Sequence, residues 1–200
     1  TWCGGSQANG EPGAADGTLN CYVTGPGATI TYATGVVNQL NINAGADLTI
    51  DGVAGAALTA NGPTFINDPQ GLRITADASG AGTGSFIDNG TITYGTSGSA
   101  TVEAWLFNSP ISPSTFHMHL VGPMVNDPSF TFTPNPGQNG VYLSAFNLQA
   151  NGTYAYRYDE PTNVWANIFQ LTDEIPAPHG IAMSDVSSTP KVLSMTGDLN

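Results

Sequence analysis

Short runs that alternate apolar and polar residues fill the first half of the chain. Residues 39–43 send Leu40 and Ile42 to one side, and residues 47–51 repeat the pattern with Leu48 and Ile50. Leu58-Thr59-Ala60, Phe65-Ile66, Leu72-Arg73-Ile74-Thr75, Phe86-Ile87, Ile92-Thr93-Tyr94 and residues 100–106 continue the series. Alternation with period two over such lengths predicts half-buried β-strands. The apolar pairs recur roughly every eight to ten residues. Turns carry Asp51-Gly52, Asn61-Gly62 and Asn89-Gly90 at similar phase. Two architectures fit. Asn-Gly can mark the hairpins of an antiparallel meander, or the runs can be the sides of a parallel β-solenoid. The strands are short and alike, and their outward positions hold Thr, Asn and Asp, which suit stacked side-chain ladders. These features favour the solenoid.

The second half changes character. Asn108-Ser109-Pro110 and Ser112-Pro113-Ser114 form a turn-rich junction. Residues 116–121 read as a buried strand, residues 129–133 alternate, and residues 141–146 make a longer apolar run. Tyr154, Tyr156 and Tyr158 fall on one face of a strand. A turn over residues 159–163 then leads into Val164-Trp165-Ala166-Asn167-Ile168. Ile181-Ala182-Met183 and Val192-Leu193-Ser194-Met195 complete it. Regular short strands between Pro and Gly turns predict an antiparallel β-sandwich-like domain. The expected fold class is therefore all-β. A short parallel β-solenoid over 1–106 is followed by the sandwich-like domain over 107–200.

Composition narrows the roles open to such a chain. Only three Lys+Arg stand against fifteen Asp+Glu among 200 residues, a net charge of −12. Arg73, Arg157 and Lys191 cannot build a phosphate-binding surface, so nucleic-acid binding is excluded. Polybasic membrane attachment is excluded likewise, and no run is apolar enough to insert as a membrane span. The two cysteines, Cys3 and Cys21, lie close in sequence. No C-x-x-C and no neighbouring His supports zinc. In a reducing compartment they are two thiols. In an exported protein they close a short N-terminal loop as a disulfide, worth about 3 kcal/mol at most. The low Lys content and the Thr, Asn and Gly surface fit export. The start at Thr1 reads as a processed or excised piece of a longer protein.

The order of motifs carries a resemblance. Thr1-Trp2 and Glu11-Pro12 come first. Leu-x-Ile-x-x-Gly-Ala-x-Leu-Thr-Ile follows over 40–50, then Gly-Thr-Gly-Ser-Phe-Ile-Asp-Asn-Gly over 82–90. Trp105, the HLVGPM segment at 119–124 and Tyr-x-Tyr-x-Tyr-Asp-Glu-x-x-Asn-x-Trp over 154–165 complete it. This resembles the repetitive surface and secreted proteins of the Bacteroidetes, many of them cargo of the type IX secretion system. The resemblance implies an exported, surface-attached or filamentous protein and a chain that is part of a longer one. Two departures stand out. Cys3 and Cys21 are unusual for that repeat style, and Phe116-His117 stands where a Trp-His pair is usual.

Candidate chemistry is sparse. His117 and His119 project to one strand face, half of a metal site, with His179 distant in sequence. Asp47 with Asp51, Asp159 with Glu160, and Asp173 with Glu174 are oxygen-rich enough for Ca²⁺, but none has EF-hand spacing. A solvated acidic surface explains them equally. No G-x-S-x-G elbow is present. A solenoid lyase needs cations and a base, and Arg73 is the one cation in that half. A cofactor-free, non-enzymatic protein is expected. Lys191 is a thin basis for an isopeptide crosslink, and Asn89-Gly90-Thr91 and Asn151-Gly152-Thr153 read as turns before glycosylation sites. Trp165 with Tyr154, Tyr156 and Tyr158 can stack on sugars, or pack as cross-strand pairs.

The leading expectation is an extracellular structural or interaction module: a stalk, adhesin or self-assembling filament subunit. Its partners would be like subunits or neighbouring domains of the same parent chain. The alternative is a glycan-binding module that uses the four aromatics. Whether those rings face solvent decides between sugar stacking and packing.

Overall fold

The computed structural model describes residues 5, 7, 10–77, 79–80, 82–106, 119–130, 137–146, 153–168, 170–177, 179–185 and 191–199, with backbone alone at Phe146, Thr153, Tyr154, Ser184, Asp185 and Lys191. The chain divides into two compact units, 1–104 and 105–200.

The first unit is a parallel β-solenoid of about three turns. Its strands are β1 (Asn20–Val23), β2 (Ala28–Ile30), β3 (Gly35–Val37), β4 (Gln39–Ile42), β5 (Leu48–Ile50), β6 (Ala57–Ala60), β7 (Thr64–Ile66), β8 (Leu72–Ile74), β9 (Ser85–Asp88), β10 (Ile92–Tyr94) and β11 (Ala100–Leu106). They stack in three parallel faces: β1-β4-β7-β10, β2-β5-β8-β11 and β3-β6-β9. Ala28, Leu48, Leu72 and Ala100 form one column across the coils. The successive steps are 20, 24 and 28 residues, so each coil is longer than the last. Part of the growth is the segment after β8, where Ala76 bridges Thr83 in a small antiparallel excursion.

Alternation decides what fills the interior. In β2 to β8 one side chain in two points inward. Val37, Leu40, Ile42, Leu48, Ile50, Ala60, Ile66 and Leu72 are all fully buried. Each buried Leu or Ile contributes about 1.5–3 kcal/mol relative to exposure. Thr64 is the inward polar exception, and its hydroxyl donates to Asp88 Oδ1 at 2.9 Å. In β9 and β10 the inward row of Phe86, Ile92 and Tyr94 is only half-buried. On the outer face, Asn38 Nδ2 donates to Asn20 Oδ1 (2.9 Å) and Asn89 Nδ2 to Asn61 Oδ1 (3.2 Å), an amide ladder along one corner.

The turns correct one detail of the sequence pattern. Asn61-Gly62 and Asn89-Gly90 do stack: a Cβ on Gly90 would lie 2.4 Å from the Gly62 carbonyl oxygen. Asp51-Gly52 belongs to a different corner, between β5 and β6. There a Cβ at Gly52 would stand 2.2 Å from the Thr75 oxygen of the next coil. Both corners need glycine because adjacent coils bring backbone against backbone, so the dipeptide recurs without sharing a phase.

A cap that the sequence pattern did not announce covers part of the first coil. Glu11, Pro12 and Gly13 are buried. The Gly13 carbonyl accepts the Val36 N–H of β3 at 3.2 Å. Glu11, 2% exposed, accepts the Thr31 N–H at 2.8 Å and the Thr31 hydroxyl at 3.0 Å. Cys21 is buried in β1, while Cys3 lies outside the described residues.

The second unit holds antiparallel sheets. Its strands are β12 (His119–Val121), β13 (Val125–Asn126), β14 (Gly140–Tyr142), β15 (Thr153–Asp159), β16 (Val164–Ile168), β17 (Glu174–Pro176), β18 (Ile181–Asp185) and β19 (Lys191–Leu199). A four-stranded sheet has the order β12-β18-β15-β16. Antiparallel pairs β13–β19 and β14–β17 accompany it. Three local expectations change. Residues 119–121 form an edge strand whose Leu120 is 79% exposed, not a buried one. The run 141–146 splits into β14 and a 3-10 turn at Leu143–Phe146. Ser129 and Phe130 are not in a strand; Asp127 Oδ1 accepts the Ser129 N–H at 2.8 Å in a local turn.

Candidate functional site

The candidate site lies on the four-stranded sheet. Successive residues of a strand point to opposite faces, and residues directly opposite share one. Ala155, Ile168, Ile181 and Met183 lie on one face and are buried. Tyr156 and Tyr158 therefore occupy the other. On that face the register runs Leu120, Ala182, Tyr156, Asn167 across the strands, and Tyr158 stands directly opposite Trp165. Only Ala182, small and between two larger neighbours, is buried; Tyr156 is half-buried and Asn167 exposed.

Of the four aromatics, Tyr158 and Trp165 are the exposed ones among the described side chains, and they also pack on each other as a cross-strand pair. They are 36% and 50% exposed, so both rings face solvent. Their centroids lie 5.2 Å apart, with the planes tilted by 54°. The turn between β15 and β16 fixes this pair. Asn163 takes a left-handed conformation (φ 56°), which Asn tolerates better than most residues. The Tyr158 hydroxyl donates to Asn163 Oδ1, and the Thr162 hydroxyl donates to the Asp159 carboxylate. The ring pair is thus tied to the turn that follows it. The side chain of Tyr154 lies outside what the structure describes.

A shallow, open groove of about 300 Å³ begins at Tyr158. Arg157, Glu160, Pro161, Pro176 and His179 line it as well. Glu160 and His179 are exposed. Arg157, on the opposite strand face from Tyr158, sends Nη1 to the Glu174 carbonyl oxygen at 3.0 Å. The aromatic residues of this site were legible in sequence. Pro176 and His179 were not, because they arrive from β17 and the segment before β18, and no local pattern announces that return.

The other candidates part company. His117 is outside the described residues. His119 pairs with Met183 in register, four residues along the chain from His179. Among the described residues no three His, Cys, Asp or Glu side chains converge as a metal site would require. Several of the proposed acidic groups hold turns. Asp47 Oδ1 accepts the Gly27 N–H (3.1 Å), Asp51 Oδ1 the Val53 N–H (2.9 Å) and Asp173 Oδ2 the Gln170 N–H (2.9 Å). Arg73 pairs with Glu103 at 3.6 Å.

No protein-family model matches the chain, no curated protein matches it, and no solved structure matches it. The functional reading therefore stands on the residues themselves.

Proposed function

We propose that the protein is an exported, non-catalytic surface-interaction module, a stalk or adhesin in which the solenoid is the scaffold and the aromatic face of the antiparallel unit contacts glycans. The observation that supports glycan contact is the pairing of Tyr158 and Trp165, side by side and open to solvent. Pyranose rings present C–H faces that stack on aromatic rings, while their hydroxyls need nearby acceptors and donors. Asn163, Asn167 and the groove supply such groups. The rings meet at an angle rather than in one plane, which suits a single soluble chain better than the flat face of a crystalline polysaccharide.

The export part of the proposal draws on the scarcity of Lys and on the resemblance to type IX secretion cargo. It includes a Cys3–Cys21 disulfide, whose check is the mass of the unreduced protein after thiol alkylation: no alkyl group should be added before reduction and two after it.

The glycan reading is tested by passing the purified protein over a panel of immobilised soluble polysaccharides. Retention by at least one, lost on Trp165→Ala, supports it; retention by none contradicts it.

A second reading, self-assembly into filaments, has its own observation. β9 and β10 are the last strands of their faces, and their inward residues Phe86, Ile92 and Tyr94 are half-buried. Strand edges of this kind can pair with another chain. At the other end, residues 11–13 already lie against β3, which disfavours stacking there. Electron microscopy at high protein and salt concentration distinguishes ordered end-to-end arrays from monomers.

A further inference from the structure

We propose that the groove beside Tyr158 and Trp165 takes uncharged glycans and turns away uronate-bearing or sulfated ones, with Glu160 as the residue that decides. This rests on the glycan reading above and names its ligand class.

The charges around the groove are arranged unequally. Glu160 is exposed and lines the groove together with Tyr158 and His179. Asp159, its neighbour, lines the same groove and accepts the Thr162 hydroxyl. The cation of the lining, Arg157, belongs to the opposite strand face, and its Nη1 is held on the Glu174 carbonyl. A sugar that stacks on Tyr158 therefore meets a solvated carboxylate first. Among the described residues Arg157 is the one guanidinium of the lining, and the Glu174 carbonyl already engages its Nη1, which weakens it as the bidentate partner by which anionic sugars are usually held. The chain's net charge of −12 acts in the same direction at long range, but salt near 0.15 M screens it beyond roughly 8 Å. What survives at that ionic strength is the local effect of Glu160. A sugar carboxylate about 6 Å away loses about threefold in affinity at the dielectric of bulk water without salt, about twofold with the screening at that ionic strength, and more in a partly enclosed groove.

The test uses the whole chain and a neutral polysaccharide that it retains. Dissociation constants are measured at pH 7.5 and 0.15 M salt for the hydroxyethyl and carboxymethyl derivatives of that polymer, matched in degree of substitution. Bulk is then equal and only charge differs. The native protein should bind the carboxymethyl form at least about twofold more weakly. Glu160→Gln should shrink that ratio, and Glu160→Lys should invert it. Glu160 sits in an exposed turn, and circular dichroism checks that both variants fold. A ratio of one in the native protein, or a ratio unmoved by either substitution, overturns the proposal while leaving glycan binding in place. Binding of the carboxymethyl form alone also overturns it. Failure to bind any polysaccharide removes the glycan reading itself, and this inference with it.

Discussion

Tyr158 of β15 and Trp165 of β16 stand directly opposite each other across an antiparallel pair, with ring centroids 5.2 Å apart and both rings open to water. Aromatic cross-strand pairs stabilise sheets by about 0.2–1 kcal/mol. Such a pair is usually satisfied by burial, and here it is not. An exposed Trp on an edge strand without charge or proline is a site that natural sheets tend to blunt. Its presence is the reason for placing an interaction there.

Glu11 should be a stability determinant of the solenoid. Its buried carboxylate accepts both the N–H and the hydroxyl of Thr31. Glu11→Ala leaves both donors without that acceptor and should cost about 1.5–3 kcal/mol, read as a lower urea midpoint for the solenoid transition. Glu11→Gln keeps an acceptor and should cost less. Equal stability of Glu11→Ala and the native protein would show that the cap does not contribute.

Gly98 should tolerate no side chain. A Cβ there would lie 1.9 Å from the Ile66 carbonyl oxygen of the adjacent coil. Gly98→Ala must displace backbone, with an expected loss of about 2–4 kcal/mol. The contrast is Gly25, where nothing lies within 4 Å of an added Cβ; Gly25→Ala should leave the midpoint nearly unchanged.

Asn41 offers a gain. Its Nδ2 is buried without a hydrogen-bond partner, in a row where Tyr22 and Phe65 flank it in register. An unpaired buried donor carries a desolvation cost of about 1–3 kcal/mol. Asn41→Val removes the donor and suits a strand, so it should raise the midpoint in thermal or urea unfolding; a lower midpoint would contradict this reading of the face.

Asp198 sets a pH dependence. Desolvation by burial in β19 raises its pKa above the ordinary aspartate value. The folded state then holds this proton more tightly than the unfolded one. Its contribution to stability falls as pH rises from the unfolded pKa through the folded one, and the penalty is complete above that window. Asp198→Asn should therefore stabilise the protein at pH 7 and confer no such gain at pH 3. An equal effect at both pH values would place the cause in packing rather than in ionisation.

The solenoid was legible in sequence because its determinant is local. The inward side chains of β4, β5 and β8 follow directly from period-two alternation at Leu40 and Ile42, Leu48 and Ile50, and Leu72 and Ile74. What alternation cannot carry is register across coils. The steps of 20, 24 and 28 residues depend on how much chain each corner takes up, and so Asp51-Gly52 looked equivalent to Asn61-Gly62 when the two occupy different corners. The Glu11 cap is a contact twenty residues away, at Thr31, and no local pattern marks it. In the second unit the apolar character of 119–121 suggested burial, but β12 is an edge strand and Leu120 points outward. The site divides in the same way. Tyr156, Tyr158 and Trp165 were visible, and the four-residue turn from 160 to 163 sets the pairing of Tyr158 with Trp165. The groove walls at Pro176 and His179 depend on long-range return of the chain.

Isothermal titration of the native protein and of Trp165→Ala with a soluble neutral polysaccharide tests the central claim most directly. The native protein should bind, and the variant should bind at least about tenfold more weakly with an unchanged far-ultraviolet spectrum, as expected for loss of a central aromatic contact. Equal affinity of the two proteins would contradict the assignment of Tyr158 and Trp165 as the contact surface.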